Sequence, residues 1–246
     1  MGKKTVVFGS FVVDLMGRTP HLPAAGETVK GTVFKMGPGG KGFNQGVAAH
    51  KAGADVTMVT KLGRDTFADI ALNTMKELGM KQDRILYSDD TETGCALIMV
   101  DENTSQNEIV VILGSCNTIS DAEVDSLEDL LDGCEYMLTQ LETNVSSVER
   151  IVDIACKKGV KVILNTAPVQ PISNELLSKV DLITPNEVEA EILTGVKVDS
   201  EEAADKAAEW FFGKGVKRVL ITLGGRGVYI NTGDKKGIIP AYKVNA

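Results

Sequence analysis

Residues 55–79, DVTMVTKLGRDTFADIALNTMKELG, decide the fold class of the chain. The run 55–62 is rich in β-branched residues and predicts a strand, and Asp65 then precedes apolar residues at helical spacing. Those residues are Phe67, Ala71, Met75 and Leu78, and Gly79 marks the helix end. A strand followed by an amphipathic helix is the repeating unit of α/β proteins, so this stretch predicts a parallel sheet.

The same alternation continues on both sides of this unit. Strands are predicted over 5–13, 136–141, 160–164, 181–184 and 218–222. Helices are predicted after 184 through Glu191, over 200–214, and behind two capping boxes, Ser120 with Glu123 and Ser146 with Glu149. The pattern therefore predicts an α/β fold with a mostly parallel central sheet.

Two segments interrupt this rhythm. Residues 94–113 predict a hairpin in which the strands GCALIMV and EIVVIL flank the polar turn DENTSQN. Residues 14–36 are extended and contain Pro20 and Pro23. We expect both segments to form a small β lid over the mouth of the α/β domain. The chain has no low-complexity linker and no internal repeat, so 1–246 is predicted to be a single domain with an inserted lid.

Composition excludes several classes of function. The chain has 34 acidic and 26 basic residues, and its formal net charge of −8 disfavours nucleic-acid binding. No apolar run approaches the roughly 20 residues that a membrane span needs, and the four cysteines lack a C-x-x-C pair. A cytoplasmic protein with reduced thiols is the default expectation. His21 and His50 are the only histidines, which argues against zinc sites and Ser-His-Asp catalysis.

Polar residues follow the predicted strands. In open α/β sheets, ligands bind beyond the carboxyl ends of the strands. Here those ends carry Glu142, Asn165 with Thr166, Asn186, and Thr222 ahead of a glycine-rich turn. Ordinary turn chemistry would explain any one of them. Four such ends in succession favour a ligand site.

Asn186 and Glu189 lie three residues apart at a predicted helix start. That spacing places both side chains on one helix face, beside backbone N–H groups that favour anions. The amide could meet a phosphate while the carboxylate holds a divalent ion, directly or through water. The alternative is that Glu187, Glu189 and Glu191 only complement the positive end of the helix dipole.

Residues 37–42, GPGGKG, satisfy G-x-G-x-x-G formally, but two nucleotide-loop interpretations fail. The strand after the following helix lacks the acidic residue that would bind a ribose in a dinucleotide site. A Walker loop requires Ser or Thr after the lysine, and Gly42 follows Lys41. The loop is therefore expected to let a small ligand approach bare backbone, with Lys41 and Asn44 as donors. A tight turn at a helix start would explain the glycines but not four of them within six residues.

Together, these motifs resemble the ribokinase family, the PfkB-type carbohydrate kinases, along the whole chain. The family's opening strand and sugar-binding Asp match Phe8-Gly9-Ser10 and Asp14, and its first signature matches GGKGFNQ at 39–45. Its later elements match Glu142, the N-x-x-E of 186–189 and the T-L-G-x-x-G of 222–227. The resemblance implies a three-layer α/β/α fold with a mostly parallel sheet and a small β lid.

The resemblance also implies an activity and a set of site residues. The activity is transfer of the ATP γ-phosphoryl group to a primary hydroxyl of a pentose, with ribose as the leading substrate and Mg²⁺ and K⁺ as ions. The sugar residues would be Asp14, Gly39, Gly40, Lys41, Gly42, Asn44 and Glu142. The ATP residues would be Asn186, Thr222, Leu223, Gly224, Gly225, Arg226 and Gly227, with Glu189 holding Mg²⁺ through water. Lids of this family pair between subunits, which implies a homodimer.

Two departures from the family pattern affect these expectations. Val12 stands where the family usually has Asn two residues before the sugar-binding Asp, which removes a hydrogen-bond partner and weakens the case for strict ribose specificity. The chain also stops at AYKVNA, before the family's D-T-x-(A/G)-A-G-D element. That element holds the catalytic Asp, so the base is expected beyond Ala246 and the chain of 246 residues is predicted to be inactive or nearly so.

Other interpretations stay open. A sugar-binding or regulatory fragment would hold a sugar without transforming it. Among kinases, deoxyribose, ketohexoses and nucleosides are alternative substrates. Nucleosides fit least, because only 5% of the residues are aromatic and base recognition usually uses stacking surfaces.

Overall fold

The structure is a computed structural model that describes residues 3–243. It divides into two compact units, which are described separately. The first contains Val7–Glu123 and Glu142–Asn144, and the second contains Lys3–Val6, Val124–Leu141 and the residues from 145 onward. The first strand of the chain contributes residues to both units.

The strands, in chain order, are β1 (Lys4–Phe8), β2 (Val12–Thr19), β3 (Val33–Gly39), β4 (Asp55–Val59), β5 (Lys61–Leu62), β6 (Leu86–Tyr87), β7 (Thr93–Asp101), β8 (Asn107–Gly114), β9 (Tyr136–Thr139), β10 (Lys161–Leu164), β11 (Leu182–Ile183), β12 (Val219–Thr222), β13 (Val228–Asn231) and β14 (Lys236–Ile239). The α-helices are α1 (Lys41–Lys51), α2 (Thr66–Glu77), α3 (Asp121–Asp125), α4 (Val145–Lys157), α5 (Asn174–Ser178), α6 (Glu187–Thr194) and α7 (Glu201–Gly213).

The first unit contains a four-stranded sheet in the order β3-β2-β7-β8. β2 pairs antiparallel with β3 and parallel with β7, and β7 pairs antiparallel with β8. This sheet contains strands from both segments that interrupt the βα rhythm, while its role as a lid stays a prediction. In the same unit β1 lies beside β4, and Gly9 N donates to Val59 O at 3.0 Å just after β1 ends.

The second unit is built on parallel strands. β9, β10, β11 and β12 are parallel neighbours, and β13 and β14 add an antiparallel edge beyond β12. The start of β1 lies beside β9, where Glu135 N donates to Lys4 O at 3.0 Å. The helices α4, α6 and α7 pack on these strands through buried Val, Ile, Ala and Phe side chains. The predicted α/β fold with a mostly parallel sheet is confirmed.

Local signals placed several helices correctly. Asp65 caps α2 by accepting from Ala68 N, and Ser200 caps α7 by accepting from Ala203 N. Ser120 and Glu123 form the predicted capping box, since Ser120 N donates to Glu123 Oε2 at 2.8 Å and Glu123 N donates to Ser120 Oγ at 3.3 Å. Within residues 3–243, no helix is both long enough and apolar enough to cross a bilayer.

Three boundary predictions were wrong. The strand predicted over 5–13 is two strands, because the chain turns at residues 9–11, and Asp14 therefore lies inside β2. The strand predicted over 55–62 ends at Val59, and Lys61–Leu62 pairs separately with β6. Ser146 is no helix cap, because α4 begins one residue earlier at Val145.

Candidate functional site

Three polar residues of the first unit surround Glu142: Ser10, Asp14 and Lys41. We call these three residues and Glu142 the carboxylate cluster. Glu142 lies three residues after the C-terminal end of β9 and is 4% exposed. Its Oε2 accepts from Ser10 Oγ at 2.5 Å and from the backbone N–H of Lys41 at 2.7 Å. Its Oε1 lies 3.8 Å from Lys41 Nζ. The carboxylate is therefore buried, paired and fixed in orientation.

Asp14 supplies a second carboxylate to this cluster. Burial raises the pKa of Asp14, the nearby Glu142 carboxylate raises it further, and the Lys41 ammonium opposes both effects. Two neighbouring carboxylates that are partly removed from water repel each other, and a hydrogen-bond donor that lies between them offsets this repulsion. A ligand with several hydroxyl groups provides such donors.

The glycines of 39–42 are required by close backbone approach. A Cβ at Gly39 would overlap the carboxylate of Asp14, and a Cβ at Gly42 would lie 2.6 Å from the carbonyl carbon of Gly9. Gly40 has φ +91°, and a Cβ there would lie 2.9 Å from Ser10 O. The glycine-rich loop is thus pressed against the 9–11 turn and against Asp14, which a simple turn at a helix start would not require.

The predicted donors of this loop lie at the start of α1. The side chain of Lys41 is 40% exposed, so its ammonium can reach solvent or a ligand as well as Glu142. Asn44 is exposed in the first turn of α1. The structure therefore brings together the predicted sugar residues Asp14, Glu142 and 39–42, with Asn44 one turn further along the helix.

In the second unit, Asn186 and Glu189 form a capping box at the start of α6. Asn186 Oδ1 accepts from Glu189 N at 2.8 Å, while Glu189 Oε2 accepts from Asn186 N at 3.1 Å. Asn186 Nδ2 also donates to Glu189 Oε1 at 2.8 Å, and Thr166 Oγ1 donates to Glu189 Oε2 at 2.8 Å. Both side chains stabilise the start of α6 through direct hydrogen bonds. This role differs from the alternative considered above, in which exposed acids only complement the helix dipole. A ligand role for either residue stays a prediction.

Thr222 ends β12, and the glycine-rich turn that follows borders a cavity of about 650 Å³. Gly227 has φ +108°, and a Cβ there would overlap Ile239 O. The predicted residues that line this 222–227 cavity are Asn186, Thr222, Gly224 and Gly227. The remaining lining residues are Glu187, Val188, Val228, Ile239, Pro240, Ala241 and Tyr242. The wall is mainly apolar side chain and backbone.

Leu223 and Arg226 of this turn have structural contacts. Leu223 is buried. The Arg226 guanidinium donates to Glu187 Oε1 at 2.6 Å and to the backbone oxygens of Val198 and Asp199 at 2.8 Å each. Arg226 thus joins the turn to α6 and to the loop before α7, and it is not among the residues that line the cavity.

A magnesium ion held through water is compatible with Glu189. Within residues 3–243, no group of three His, Cys, Asp or Glu side chains could hold a metal ion. Mg²⁺ usually keeps several waters and binds one or two carboxylates together with substrate phosphates, so such a group is not required. Glu189 is buried and already hydrogen-bonded, which favours an indirect contact over a direct bond.

The sequence analysis assigned no role to several residues that contact the site. The contribution of Ser10 depends on Glu142, which lies 132 residues away, and that of Thr166 depends on Glu189, 23 residues away. Ile239–Tyr242 line the cavity only because β14 follows β13 along the sheet edge. Val188, an apolar residue in a polar helix start, is a sequence signal that could have indicated this wall, and the structure leaves its side chain 63% exposed.

A sequence profile described as pfkB family carbohydrate kinase matches residues 3–246. The chain belongs to the pfkB family of carbohydrate kinases. It is 41% identical over 246 residues to a ribokinase of Haemophilus influenzae, covering 100% of this chain and 80% of that protein. It is 36% identical over 241 residues to a deoxyribokinase of Salmonella typhimurium, covering 98% of this chain and 78% of that protein. The predicted family is confirmed.

A solved structure of Arabidopsis thaliana ribokinase complexed with ribose and ATP has a similar fold. The TM-score is 0.86 at 28% identity, and the match covers 98% of this chain and 78% of that one.

Proposed function

We propose that the protein is an ATP-dependent sugar kinase that acts on a primary hydroxyl of a pentose, with ribose as the leading substrate. The observation that carries this proposal is the carboxylate cluster, in which Glu142 is held beside Asp14 and the 39–42 loop. Two carboxylates, an ammonium and bare backbone can accept from and donate to the hydroxyls of a small sugar. Asn44 would add a further donor.

ATP would bind in the second unit. The 222–227 cavity has enough volume and apolar wall for a base and ribose, and the backbone of Leu223, Gly224 and Gly225 would face the nucleotide. Asn186, at the N-terminus of α6, would lie near the phosphates, where backbone N–H groups favour anions. The Arabidopsis ribokinase binds ribose together with ATP, which supports this pairing of ligands.

When bound, Mg²⁺ would neutralise phosphate charge, and Glu189 would hold it through water. Arg226, tied to Glu187, would shape the nucleotide turn and would not contact phosphate. K⁺ stays a prediction from the family resemblance.

The chemistry of transfer depends on positioning and charge stabilisation. Sugar and nucleotide binding test the positioning part directly, so ligand binding is the first readout. A coupled assay of ADP release tests the transfer step itself. Binding of sugar without ADP release would instead favour the sugar-binding fragment.

The proposal is tested by mapping each ligand with amide NMR. Ribose is expected to shift the amide resonances of residues 39–44, and a non-hydrolysable ATP analogue those of residues 222–227. L-arabinose at the same concentration serves as the control sugar. The proposal fails if ribose leaves residues 39–44 unchanged or shifts them no more than the control.

Deoxyribose is a second candidate substrate, and Val12 favours it. Val12 is buried on β2 and lies two residues before Asp14, so both side chains are on the same face of the strand. An apolar group there offers no partner to a sugar hydroxyl, and an unpaired hydroxyl against it would lose its hydrogen bond with water. A sugar that lacks one hydroxyl avoids this penalty.

Val12→Asn separates the two substrates. If Val12 selects against one hydroxyl, the wild type binds 2-deoxyribose more tightly than ribose. V12N should then shift the ratio of the two affinities toward ribose by about tenfold, the contribution of one hydrogen bond. Val47→Asn, on α1, is the control and should leave the ratio unchanged. A ratio that favours ribose in the wild type and does not move in V12N would remove deoxyribose as a candidate.

We also propose that the β3-β2-β7-β8 sheet is a lid and a homodimer interface. Its exposed apolar side chains include Phe34, Met36 and Val110, which are 69%, 53% and 60% exposed, and β8 is an edge strand. Exposed edges of this type tend to be covered by a second strand. Sedimentation of the wild type and of Val110→Lys tests this: a dimer that V110K dissociates is expected, and a wild-type monomer at micromolar concentration would exclude it.

A further inference from the structure

Ser10 forms hydrogen bonds that connect three parts of the first unit. Ser10 lies in the turn between β1 and β2 and is fully buried. Its Oγ donates to Glu142 Oε2 at 2.5 Å and accepts from Gly42 N at 3.3 Å. Its backbone oxygen accepts from Phe43 N at 2.8 Å. One residue thus joins the 9–11 turn, the start of α1 and Glu142.

These contacts make the two oxygens of Glu142 unequal. Oε2 receives both the Ser10 hydroxyl and the Lys41 backbone N–H, whereas the contact of Oε1 is the Lys41 ammonium at 3.8 Å. Charged hydrogen bonds of this kind are stronger than neutral ones and fix orientation. Oε1 is therefore the oxygen that can accept from a ligand hydroxyl.

We infer that Ser10 is a positioning residue for sugar binding: its hydroxyl holds Oε2 of Glu142 so that Oε1 is presented to the sugar. This inference rests on the proposed function. Ser10 does not need to touch the sugar, because its effect passes through Glu142. Removal of the hydroxyl leaves Oε2 with the Lys41 N–H alone, and the carboxylate can then rotate or turn Oε2 toward the ligand.

The test is a double-mutant cycle on ribose binding, measured by calorimetry with the 246-residue chain. The variants are Ser10→Ala, Glu142→Gln and the double variant S10A/E142Q. Ser115→Ala is the matched control, because Ser115 is also fully buried in the first unit but its Oγ donates to Lys61 O, at 2.8 Å. The amide resonance of Lys41 gives a readout without sugar.

We expect S10A to weaken ribose binding by about tenfold, the low end of the range for a charged hydrogen bond, because the Lys41 N–H still holds Oε2. S115A should stay within about twofold of the wild type, well below one hydrogen bond. In the E142Q background S10A should have little further effect, and S10A but not S115A should shift the Lys41 amide resonance. If S10A does not fold, Ser10→Cys replaces it, because a thiol is a weaker donor at the same place.

Two results would overturn the inference while leaving the proposed function in place. One is unchanged ribose affinity in S10A with a loss of stability like that of S115A. The other is an equally large effect of S10A with and without Glu142. A wild type that binds neither ribose nor 2-deoxyribose would overturn the proposed function, and the inference with it.

Discussion

The carboxylate cluster of the first unit and the 222–227 cavity of the second use polar residues in opposite ways. In the cluster, side chains and backbone converge on Glu142, and Oε1 remains on the side of the Lys41 ammonium. At the cavity, two polar lining residues are bound by side chains that do not line it: Asn186 by Glu189, and Glu187 by Arg226. The cavity wall itself is largely backbone and apolar surface.

This difference concerns how each ligand would be recognised. A small sugar presents little apart from hydroxyls, so its recognition depends on a few fixed side chains. A nucleotide presents a flat base and charged phosphates, which shape and backbone N–H groups can accommodate. Side-chain substitutions should therefore weaken sugar binding more than nucleotide binding. Substitution of a closely packed glycine should weaken ligand binding at either place, at Gly39 for the sugar and at Gly227 for the nucleotide.

The largest effect is expected for Gly39→Ala. The new Cβ would overlap the Asp14 carboxylate, so Asp14 or the loop must move, and ribose binding should weaken by about a hundredfold, the scale of a strained, overpacked contact. Gly37→Ala is the control, because nothing lies within 4 Å of a Cβ there. Calorimetry measures both variants, and equal affinities would contradict the close approach of the loop to Asp14.

Gly227→Ala is the corresponding change at the cavity. Gly227 has φ +108° and its Cβ would overlap Ile239 O, so the variant should lose about 1–3 kcal/mol of unfolding free energy and much of its affinity for an ATP analogue. Gly213→Ala, at the end of α7 with open space around its Cβ, is the control and should keep the wild-type affinity for the analogue. Urea unfolding and analogue titration are the measurements. Unchanged stability and analogue affinity in G227A would show that neither depends on the backbone conformation of this turn.

A smaller effect is expected for Asn186→Ala, which distinguishes a helix-capping role of Asn186 from a role in nucleotide binding. Loss of the cap should cost about 1 kcal/mol of unfolding free energy. Ser200→Ala removes the cap of α7 and should cost a similar amount, but Ser200 does not line the cavity. ATP-analogue affinity should fall only in N186A. If both variants keep that affinity, the role of Asn186 is structural alone.

The smallest effect concerns Asp14 and pH. Its pKa is raised in the folded state by burial and by Glu142, so the folded state holds the proton more tightly than the unfolded chain does. Stability from this group is fully present below the unfolded-state pKa of about 3.9 and is lost as pH rises through the raised pKa. Asp14→Asn avoids that loss and should melt slightly above the wild type at pH 7.

The advantage of D14N should disappear as the pH falls below about 4. Asp90→Asn, at an exposed position, is the control for removal of one negative charge. Thermal melts at pH 3.5 and pH 7 give the comparison. A D14N protein that melts below the wild type at pH 7 would mean that the ionised Asp14 stabilises the fold.

Sequence patterns predicted what depends on neighbours along the chain. The α2 helix follows from Asp65 and its apolar spacing, and α7 follows from the Ser200 cap. The turn at residues 9–11 was missed although Gly9 and Ser10 favour a turn, because strand-forming residues flank them on both sides. The turn is also stabilised from outside, by contacts such as Gly9 N to Val59 O. Ser146 was mistaken for a cap because its capping-box partner is present in the sequence, although α4 starts at Val145.

The same distinction applies to the candidate site. The four glycines of 37–42 predicted a loop whose backbone a small ligand can approach, and this stays a prediction. In the structure Gly39 lies against the Asp14 carboxylate, and Gly40 and Gly42 lie against the 9–11 turn. The position of Asp14 inside β2 and the hydroxyl of Ser10 against Glu142 depend on partners far along the chain, so no local pattern could predict them. Asn186 and Glu189 carry the same spacing whether they bind a ligand or cap a helix, and only the atomic contacts identify the cap.

The most direct test of the central claim is a calorimetric titration of the wild type and of Glu142→Gln with ribose and 2-deoxyribose. The carboxylate cluster predicts that the wild type binds at least one of these pentoses and that E142Q binds it about ten- to a hundredfold more weakly, the cost of a lost charged hydrogen bond. An ATP analogue should bind both proteins equally. Equal pentose affinities in the two proteins, or no binding by the wild type, would contradict the claim.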